Sequence, residues 1–162
     1  MKTTSFKTKI VSAQQASKIV EQWQQNKEKV VFTNGCFDII HRGHVEYLAA
    51  AASKGQRLVL GLNTDDSVSR IKGPTRPIVD EQSRAIVLAA FGFIDLVVLF
   101  DEDTPYELIK TLQPDVLVKG ADYKVENIVG YDIVTQRGGS VETITFVEGF
   151  SSTDIIDKLS KK

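Results

Sequence analysis

Short apolar strands and amphipathic helical segments alternate five times along the chain. The predicted strands are residues 30–32, 58–62, 96–100, 116–118 and 142–147. Continuous apolar runs are typical of strands that are covered on both faces, and therefore of a parallel sheet. Because the connections between parallel strands are right-handed, the pattern predicts a Rossmann-like three-layer α/β/α fold with a five-stranded parallel sheet.

Capping signals mark the starts of several helices. Ser12 with Gln15, and Thr104 with Glu107, have the spacing of capping boxes. Asp80 is a candidate N-cap for a helix that runs to about residue 91. Further helices are predicted near residues 44–55, 64–71, 129–136 and 151–159. Residues 1–11 are polar and are expected to form an N-terminal arm, with residues 12–162 forming a single domain.

The overall charge excludes some classes of partner. The chain has 162 residues, and its 20 Lys and Arg against 21 Asp and Glu give a net charge of −1. We expect no nucleic-acid partner, since only a small basic cluster occurs near residues 70–84. We also expect no membrane partner and no secretory signal, since no apolar run approaches roughly 18–20 residues. The single cysteine, Cys36, excludes an internal disulfide and suits a reducing cytoplasm.

Candidate chemistry follows the predicted strands, because open parallel sheets bind ligands beyond the carboxyl ends of their strands. The most informative segment contains His41 and His44, three residues apart at a predicted helix start. Gly43 lets a phosphate approach the backbone, and the helix N-terminus supplies unpaired N–H donors. A surface helix start is one alternative. Zinc binding is another, although it requires more ligands than the two histidines of this chain.

The stretch Asn34-Gly-Cys-Phe-Asp-Ile-Ile-His-Arg-Gly-His44 resembles the His-x-Gly-His signature of the nucleotidyltransferase superfamily. Within it, the chain is most similar to the D-glycero-β-D-manno-heptose 1-phosphate adenylyltransferases, from about residue 9 to residue 159. Those enzymes stand alone or form the C-terminal half of a bifunctional kinase/adenylyltransferase. Supporting motifs are GLNTDDSV (61–68), RIKGPTRP (70–77), DTP (103–105), VKGADY (118–123) and SSTDII (151–156).

The resemblance implies a Rossmann-like enzyme that transfers AMP from ATP to a sugar 1-phosphate and releases pyrophosphate, for a lipopolysaccharide-type glycan. One departure is Ser152, where the family usually has threonine; the hydroxyl is retained. Cys36 stands where the related glycerol-phosphate cytidylyltransferases usually have threonine, which favours the adenylyl branch. We interpret Cys36 as a small packing residue rather than a nucleophile.

The resemblance also implies roles for individual residues. The expected catalytic residues are His41, His44 and Lys119, with His44 closest to the α-phosphate. The expected nucleotide-binding residues are Asn34, Gly35, Cys36, Phe37, His41, Gly43, His44, Gly120, Asp122, Ser151, Ser152 and Thr153. Simple N-capping is the alternative role for the hydroxyl residues, and a surface position is the alternative for Lys119.

One residue after the first strand, two after the second strand and three cations of the basic cluster are expected to bind the acceptor. They are Asp38, Asn63, Asp65, Lys72, Arg76 and Arg84. The cations suit the acceptor's phosphate, and Asn63 and Asp65 suit sugar hydroxyls. A solvated loop is the alternative for the cations, and helix capping is the alternative for Asp65.

The expected small molecules are ATP as a substrate and Mg²⁺ bridging its phosphates, with Asp38 or Asp122 touching the ion or the ribose. We expect a possible homodimer and a separate heptose 7-phosphate kinase as partners. Two other functions stay open: a glycerol-phosphate or ethanolamine-phosphate cytidylyltransferase, and a non-catalytic nucleotide-binding module.

Overall fold

The computed structural model describes residues 5–161. Five parallel strands form one sheet in the order β3-β2-β1-β4-β5. The strands are β1 (Val30–Gly35), β2 (Arg57–Asn63), β3 (Leu96–Phe100), β4 (Val116–Gly120) and β5 (Ser140–Ile144). The predicted five-stranded parallel sheet is confirmed. β5 begins two residues earlier than predicted and ends at Ile144, so residues 145–147 lie in the loop that follows it.

Seven α-helices connect and cover the described strands. They are α1 (Ala13–Gln25), α2 (Arg42–Ala52), α3 (Asp65–Lys72), α4 (Glu81–Ala89), α5 (Tyr106–Leu112), α6 (Tyr131–Gln136) and α7 (Ser152–Ser160). Short 3-10 helices occur at Ser5–Lys9 and Val125–Asn127. Helices therefore occur in all the predicted places.

The core has two parts, one on each face of the sheet. Buried residues of α1, α5 and α6 pack on one face, around Phe32. Buried residues of α2 and α4 pack on the other face, around Leu60. This arrangement is the expected three-layer α/β/α fold, and it leaves the carboxyl edge of the sheet open for a ligand.

The predicted helix caps are confirmed in two places and wrong in a third. Ser12 and Gln15 form the capping box of α1, and Asp80 accepts a hydrogen bond at the start of α4. The capping box predicted at Thr104 does not form, because Pro105 is the N-cap of α5 and makes no side-chain cap. Proline fixes its own backbone φ, but its side chain carries no oxygen that could accept a hydrogen bond from an N–H group of the first turn.

Residues 5–11, expected to be part of an arm, lie against the body of the domain. The Val11 N–H donates to the Val97 carbonyl at 3.1 Å, and Lys9 Nζ donates to the Phe91 carbonyl at 3.1 Å. The rest of the predicted arm, residues 1–4, lies outside the described residues. Within the described part of the chain, none of the helices combines the length and apolar character needed to cross a bilayer.

The strand order reverses between β1 and β4. From β1 the chain adds β2 and β3 on one side, and it then returns to add β4 and β5 on the other. The loops after β1 and β4 therefore diverge at this point. A crevice at such a switch point is where open α/β sheets bind ligands.

Candidate active site

A cleft of about 740 Å³ lies at the carboxyl edge of the sheet, at the switch point between β1 and β4. Lys119 at the end of β4 donates from Nζ to Oδ1 of Asn34 at the end of β1, at 3.3 Å. All the site residues expected from the sequence line this cleft except Asp65 and Arg84. The fold thus brings together segments that are more than a hundred residues apart in the chain.

The turn after β1 holds a bulky residue in an unusual backbone conformation. Phe37 has a φ of 47°, in the left-handed region that residues with side chains rarely adopt. A Cβ on Gly35 would lie 2.7 Å from the Phe37 ring, so the turn requires glycine there. Backbone strain of this kind is concentrated at functional sites.

The two histidines lie side by side at the start of α2. Their rings stack with centroids 3.8 Å apart and planes inclined by 21°. Nδ1 of His44 accepts a hydrogen bond from the His41 N–H at 3.4 Å. A neutral imidazole that accepts at Nδ1 carries its proton on Nε2, so Nε2 of His44 is the donor available to a ligand. Nδ1 of His41 is buried without a hydrogen-bond partner among residues 5–161.

Both histidines are held in the neutral form at pH 7 by their surroundings. Burial, and then the neighbouring His41, lower the pKa of His44 from 6.5 to about 4. Burial also lowers the pKa of His41. Each ring can therefore donate a hydrogen bond to a phosphate without first carrying a charge.

Lys119 lies inside the cleft rather than on the outer surface that was considered as an alternative. Burial lowers the pKa of Lys119, while Cys36 and Asp122 favour its charged form. Its Nζ lies 5.8 Å from the centroid of the Tyr123 ring.

Burial raises the pKa of the Cys36 thiol, although nearby cations oppose this effect. A thiol that stays protonated is a poor nucleophile, which agrees with a packing role.

The N-terminus of α7 forms another wall of the cleft. Oγ of Ser151 accepts the Asp154 N–H at 3.3 Å, which confirms the capping role considered for it. Oγ of Ser152 donates to the Ile39 carbonyl at 2.9 Å and joins α7 to the turn before His41. The same residues line the cleft, so the first N–H groups of α7 lie at the cleft wall, in the position that favours an anion at a helix N-terminus.

On the expected acceptor side, Asp38 holds a cation in place instead of facing a substrate freely. Its carboxylate is 1% exposed and accepts from Nε of Arg76 at 2.7 Å. It also accepts the N–H groups of Ile78 and Val79 at 2.9 Å. Burial raises the pKa of Asp38, but these donors outweigh burial and hold it below its usual range. Arg76 is thereby fixed in the cleft wall.

Arg84 and Asp65 lie next to the cleft but do not line it, which contradicts the expected direct contacts with the acceptor. The guanidinium of Arg84 is fully buried, and its Nη2 donates to Oδ1 of Asp65 at 2.7 Å. Capping by Asp65 is also wrong, since the N-cap of α3 is Thr64, whose Oγ1 accepts the Ser67 N–H at 3.2 Å. The spacing of charges along the chain gave no information on which side of α4 faces the core.

Two phenylalanines of the cleft, Phe146 and Phe150, were not identified as site residues from the sequence. The Phe146 ring stacks on Tyr47 with centroids 5.3 Å apart, and Phe150 stacks on His41 at 6.2 Å. Both phenylalanines line the cleft and are exposed, which suits contact with a nucleotide base. An aromatic residue in the loop just after β5 could have indicated this role. The predicted fifth strand included Phe146, however, so Phe146 was interpreted as a strand residue.

The residues of the cleft fit a magnesium ion that is held mainly by phosphate oxygens. Among residues 5–161, no group of three or more His, Cys, Asp or Glu side chains is placed to hold a metal ion. Asp122 is an exposed carboxylate on the cleft wall, whereas that of Asp38 is already engaged. Mg²⁺ commonly relies on substrate phosphates, water and one or two carboxylates.

Comparison with known proteins agrees with this geometry. The model of the cytidylyltransferase-like family matches residues 32–158, which include every residue that lines the cleft. A crystal structure of a lipopolysaccharide core biosynthesis protein from Thermoplasma volcanium has a TM-score of 0.59 and 26% identity, covering 74% of this chain and 97% of that chain.

Curated relatives share more of the sequence. The bifunctional protein HldE of Gluconobacter oxydans is 57% identical over 147 residues, covering 91% of this chain and 31% of the relative. HldE of Magnetococcus marinus is 55% identical over 152 residues, covering 94% of this chain and 31% of the relative. The chain therefore spans about a third of the length of these relatives. Since the family model matches most of the chain, the chain belongs to the cytidylyltransferase-like family.

Proposed function

We propose that the chain is an adenylyltransferase that transfers AMP from ATP to D-glycero-β-D-manno-heptose 1-phosphate, giving ADP-heptose and pyrophosphate. The supporting observation is that the two histidines, Lys119 and the hydroxyls of α7 meet in one cleft, in a chain 57% identical to an HldE protein over most of its length. The structural neighbour is named for lipopolysaccharide core biosynthesis, and this supports a product that is used to make a lipopolysaccharide-type glycan.

In the proposed reaction, an oxygen of the acceptor phosphate attacks the α-phosphorus of ATP. A new P–O bond forms as the bond between the α-phosphorus and the bridging oxygen breaks, and pyrophosphate leaves with the electron pair. The second ionisation of a phosphate monoester lies near pH 6, so the acceptor is mostly dianionic at pH 7. A catalytic base is therefore unnecessary, and the protein must supply position and charge stabilisation.

Some residues of the cleft would bind ATP and others would bind the acceptor. His44 would donate from Nε2 to an oxygen of the α-phosphate, and Lys119 would offset negative charge on the same phosphates. Lys72 and Arg76 would bind the acceptor's phosphate. Within residues 5–161, the Arg76 guanidinium donates to another side chain through Nε alone. Mg²⁺, when bound, would neutralise the charge of the triphosphate, with Asp122 as a protein carboxylate beside it.

The biological setting is part of the proposal. The HldE relatives are named bifunctional, and the chain spans about a third of their length. We propose that a heptose 7-phosphate kinase activity acts beside this chain, whether in the same polypeptide or in another. ATP as a substrate and the unpaired Cys36 both suit the cytoplasm.

The function is tested by measuring pyrophosphate release with ATP and with CTP. Each nucleotide is offered with heptose 1-phosphate, other sugar 1-phosphates, glycerol 3-phosphate and ethanolamine phosphate. We expect turnover with ATP and heptose 1-phosphate. Turnover only with CTP and a polyol or amino-alcohol phosphate would instead show a cytidylyltransferase. Nucleotide binding without turnover on any acceptor would show a non-catalytic module.

A further inference from the structure

A buried arginine connects three segments at the edge of the cleft. The Arg84 side chain is the largest of the fully buried side chains among the described residues. Its Nε donates to the carbonyl oxygen of Val79 at 2.8 Å. Its Nη1 donates to the carbonyl oxygens of Cys36 at 2.7 Å and Asn63 at 2.8 Å. These acceptors lie before α4, after β1 and at the end of β2.

Asp38 makes the reciprocal connection, from the turn after β1 to the segment before α4. The Val79 peptide is held from both sides, because its N–H donates to Asp38 Oδ1 and its carbonyl accepts from Arg84. Arg84 also binds the Cys36 carbonyl, two residues before Asp38. The contacts therefore form a closed ring that joins residues 36–38 to residues 78–84.

Stability alone does not account for these buried charges. Removing an ion from water costs several kcal/mol, and a well-packed apolar replacement of a buried ion pair is often neutral or stabilising. A planar guanidinium, in contrast, donates in several fixed directions and thus sets the relative positions of its acceptors. Arg84 uses three of its nitrogens in this way.

We propose that Arg84 and Asp38 form a positioning latch, defined as these two side chains and the Val79 peptide between them. The latch sets the phosphate-binding turn (residues 34–44) against the acceptor segment (residues 72–80), which carries Lys72 and Arg76. It thereby holds the two reacting phosphates at the distance and angle that transfer requires. This inference rests on the proposed adenylyl transfer, because that reaction places one substrate on each segment.

The first test is Arg84→Lys, which keeps the charge but loses the planar set of donors. We expect kcat to fall about 100-fold, since a displacement of about 1 Å between reactants has an effect of that order. KM for ATP and for the acceptor should each change less than about 5-fold, because the groups that touch the substrates remain. A purely structural role would lower the melting temperature and leave kcat unchanged. A direct phosphate contact would raise the acceptor KM and leave kcat unchanged.

A matched control comes from the opposite edge of the sheet. Arg57 at the start of β2 pairs with Glu28 and Asp95, far from the carboxyl ends that form the cleft. Arg57→Lys should lower the melting temperature without lowering kcat. If both lysine variants lose kcat in proportion to their loss of stability, the latch is rejected.

The second test is the double variant of Arg84→Lys with Asp38→Asn. If the two side chains act as one unit, the double variant should lose about as much kcat as the worse single variant. Losses that multiply would show two independent effects and would overturn the latch.

A third measurement does not require turnover, so it separates the latch from the proposed reaction. Hydrogen exchange at the N–H groups of Ile78 and Val79, which Asp38 binds and Arg84 does not, should be faster in Arg84→Lys than in wild type. Unchanged exchange overturns the latch even where kcat falls. If the wild-type chain shows no turnover on any acceptor, the proposed function fails and faster exchange alone still supports the mechanical connection.

Discussion

The ring of His44 is fixed at one nitrogen and open at the other. Nδ1 accepts the His41 N–H, and the stacked His41 ring limits rotation. Burial and the neighbouring ring lower the pKa of His44 to about 4, so Nε2–H is present across the neutral pH range. At the scale of a single residue, the cleft thus contains a pre-oriented neutral donor, and the proposed transfer would develop negative charge beside it.

Replacing His44 by alanine should lower kcat by about 10²- to 10³-fold, the usual loss when a well-placed donor to a developing charge is removed. His44→Gln retains a side-chain N–H donor and should recover part of this loss. Steady-state pyrophosphate release measures both variants, and circular dichroism with thermal melting checks that they are folded. A folded alanine variant with near-normal kcat would remove His44 from the mechanism.

Residues that act through local sequence were predictable, and residues that depend on burial were not. His41 and His44 follow a strand and begin a helix, so their position at a ligand-binding edge follows from neighbouring residues. Arg84 has the same charge as Lys72, and nothing in the neighbouring residues indicates that its side chain points into the core. The direction of a helical side chain depends on how the helix packs, which is a tertiary property.

At the scale of elements, α2 contains a glycine, which is a weaker helix former than alanine. Gly43 lies in the first turn of α2, and it is buried. A Cβ there would lie 2.9 Å from Cε1 of His41 and 3.0 Å from Cβ of Phe150. The helix start is therefore adapted to its neighbours in the cleft rather than to helix propensity.

Gly43→Ala should consequently lower turnover while leaving the fold intact. The added methyl group displaces His41, and we expect kcat to fall by about 10- to 100-fold, as for other small displacements of catalytic groups. Gly92→Ala is the control, because a Cβ at Gly92 meets no atom within 4 Å. Pyrophosphate-release assays compare the two variants. Equal activity of the two would show that the His41 position is not critical.

The helices and strands themselves were well predicted, apart from some of their ends. β3 has the predicted bounds because its apolar run is continuous and is followed by charged residues. β5 was placed too far along the chain, since Phe146 and Val147 look like strand residues. Pairing with β4 ends at Ile144, and such pairing is not visible in the local sequence.

At the scale of the molecule, a predicted parallel sheet already places all strand ends at one edge. It does not give the strand order, and the order β3-β2-β1-β4-β5 is what brings Asn34 and Lys119 into contact. The resemblance to a known family supplied the order of motifs along the chain. The closed ring of hydrogen bonds through Val79 joins distant segments, and no local motif predicts it. The sequence could therefore predict the members of the site better than the contacts that hold them.

The buried titratable groups of the cleft make the stability of the whole molecule dependent on pH. An unfolded histidine has a pKa near 6.5, whereas that of His44 in the folded chain is about 4. Between these values the unfolded chain binds more protons, so the free energy of unfolding rises with pH. The lowered pKa of His41 acts in the same direction. The lowered pKa of Asp38 extends the loss of stability below pH 3.8.

Wild type should accordingly lose stability as the pH falls from 6.5 towards 4, and His44→Gln should lose less over the same interval. Urea unfolding at pH 7.0, 5.5 and 4.5 gives the free energy of unfolding for both proteins. Subtracting the two curves cancels the contributions of the carboxylates and leaves that of His44 together with its coupling to His41. Parallel curves would mean that His44 titrates near its ordinary pKa, and the neutral donor of the proposed mechanism would then be partly charged below pH 6.5.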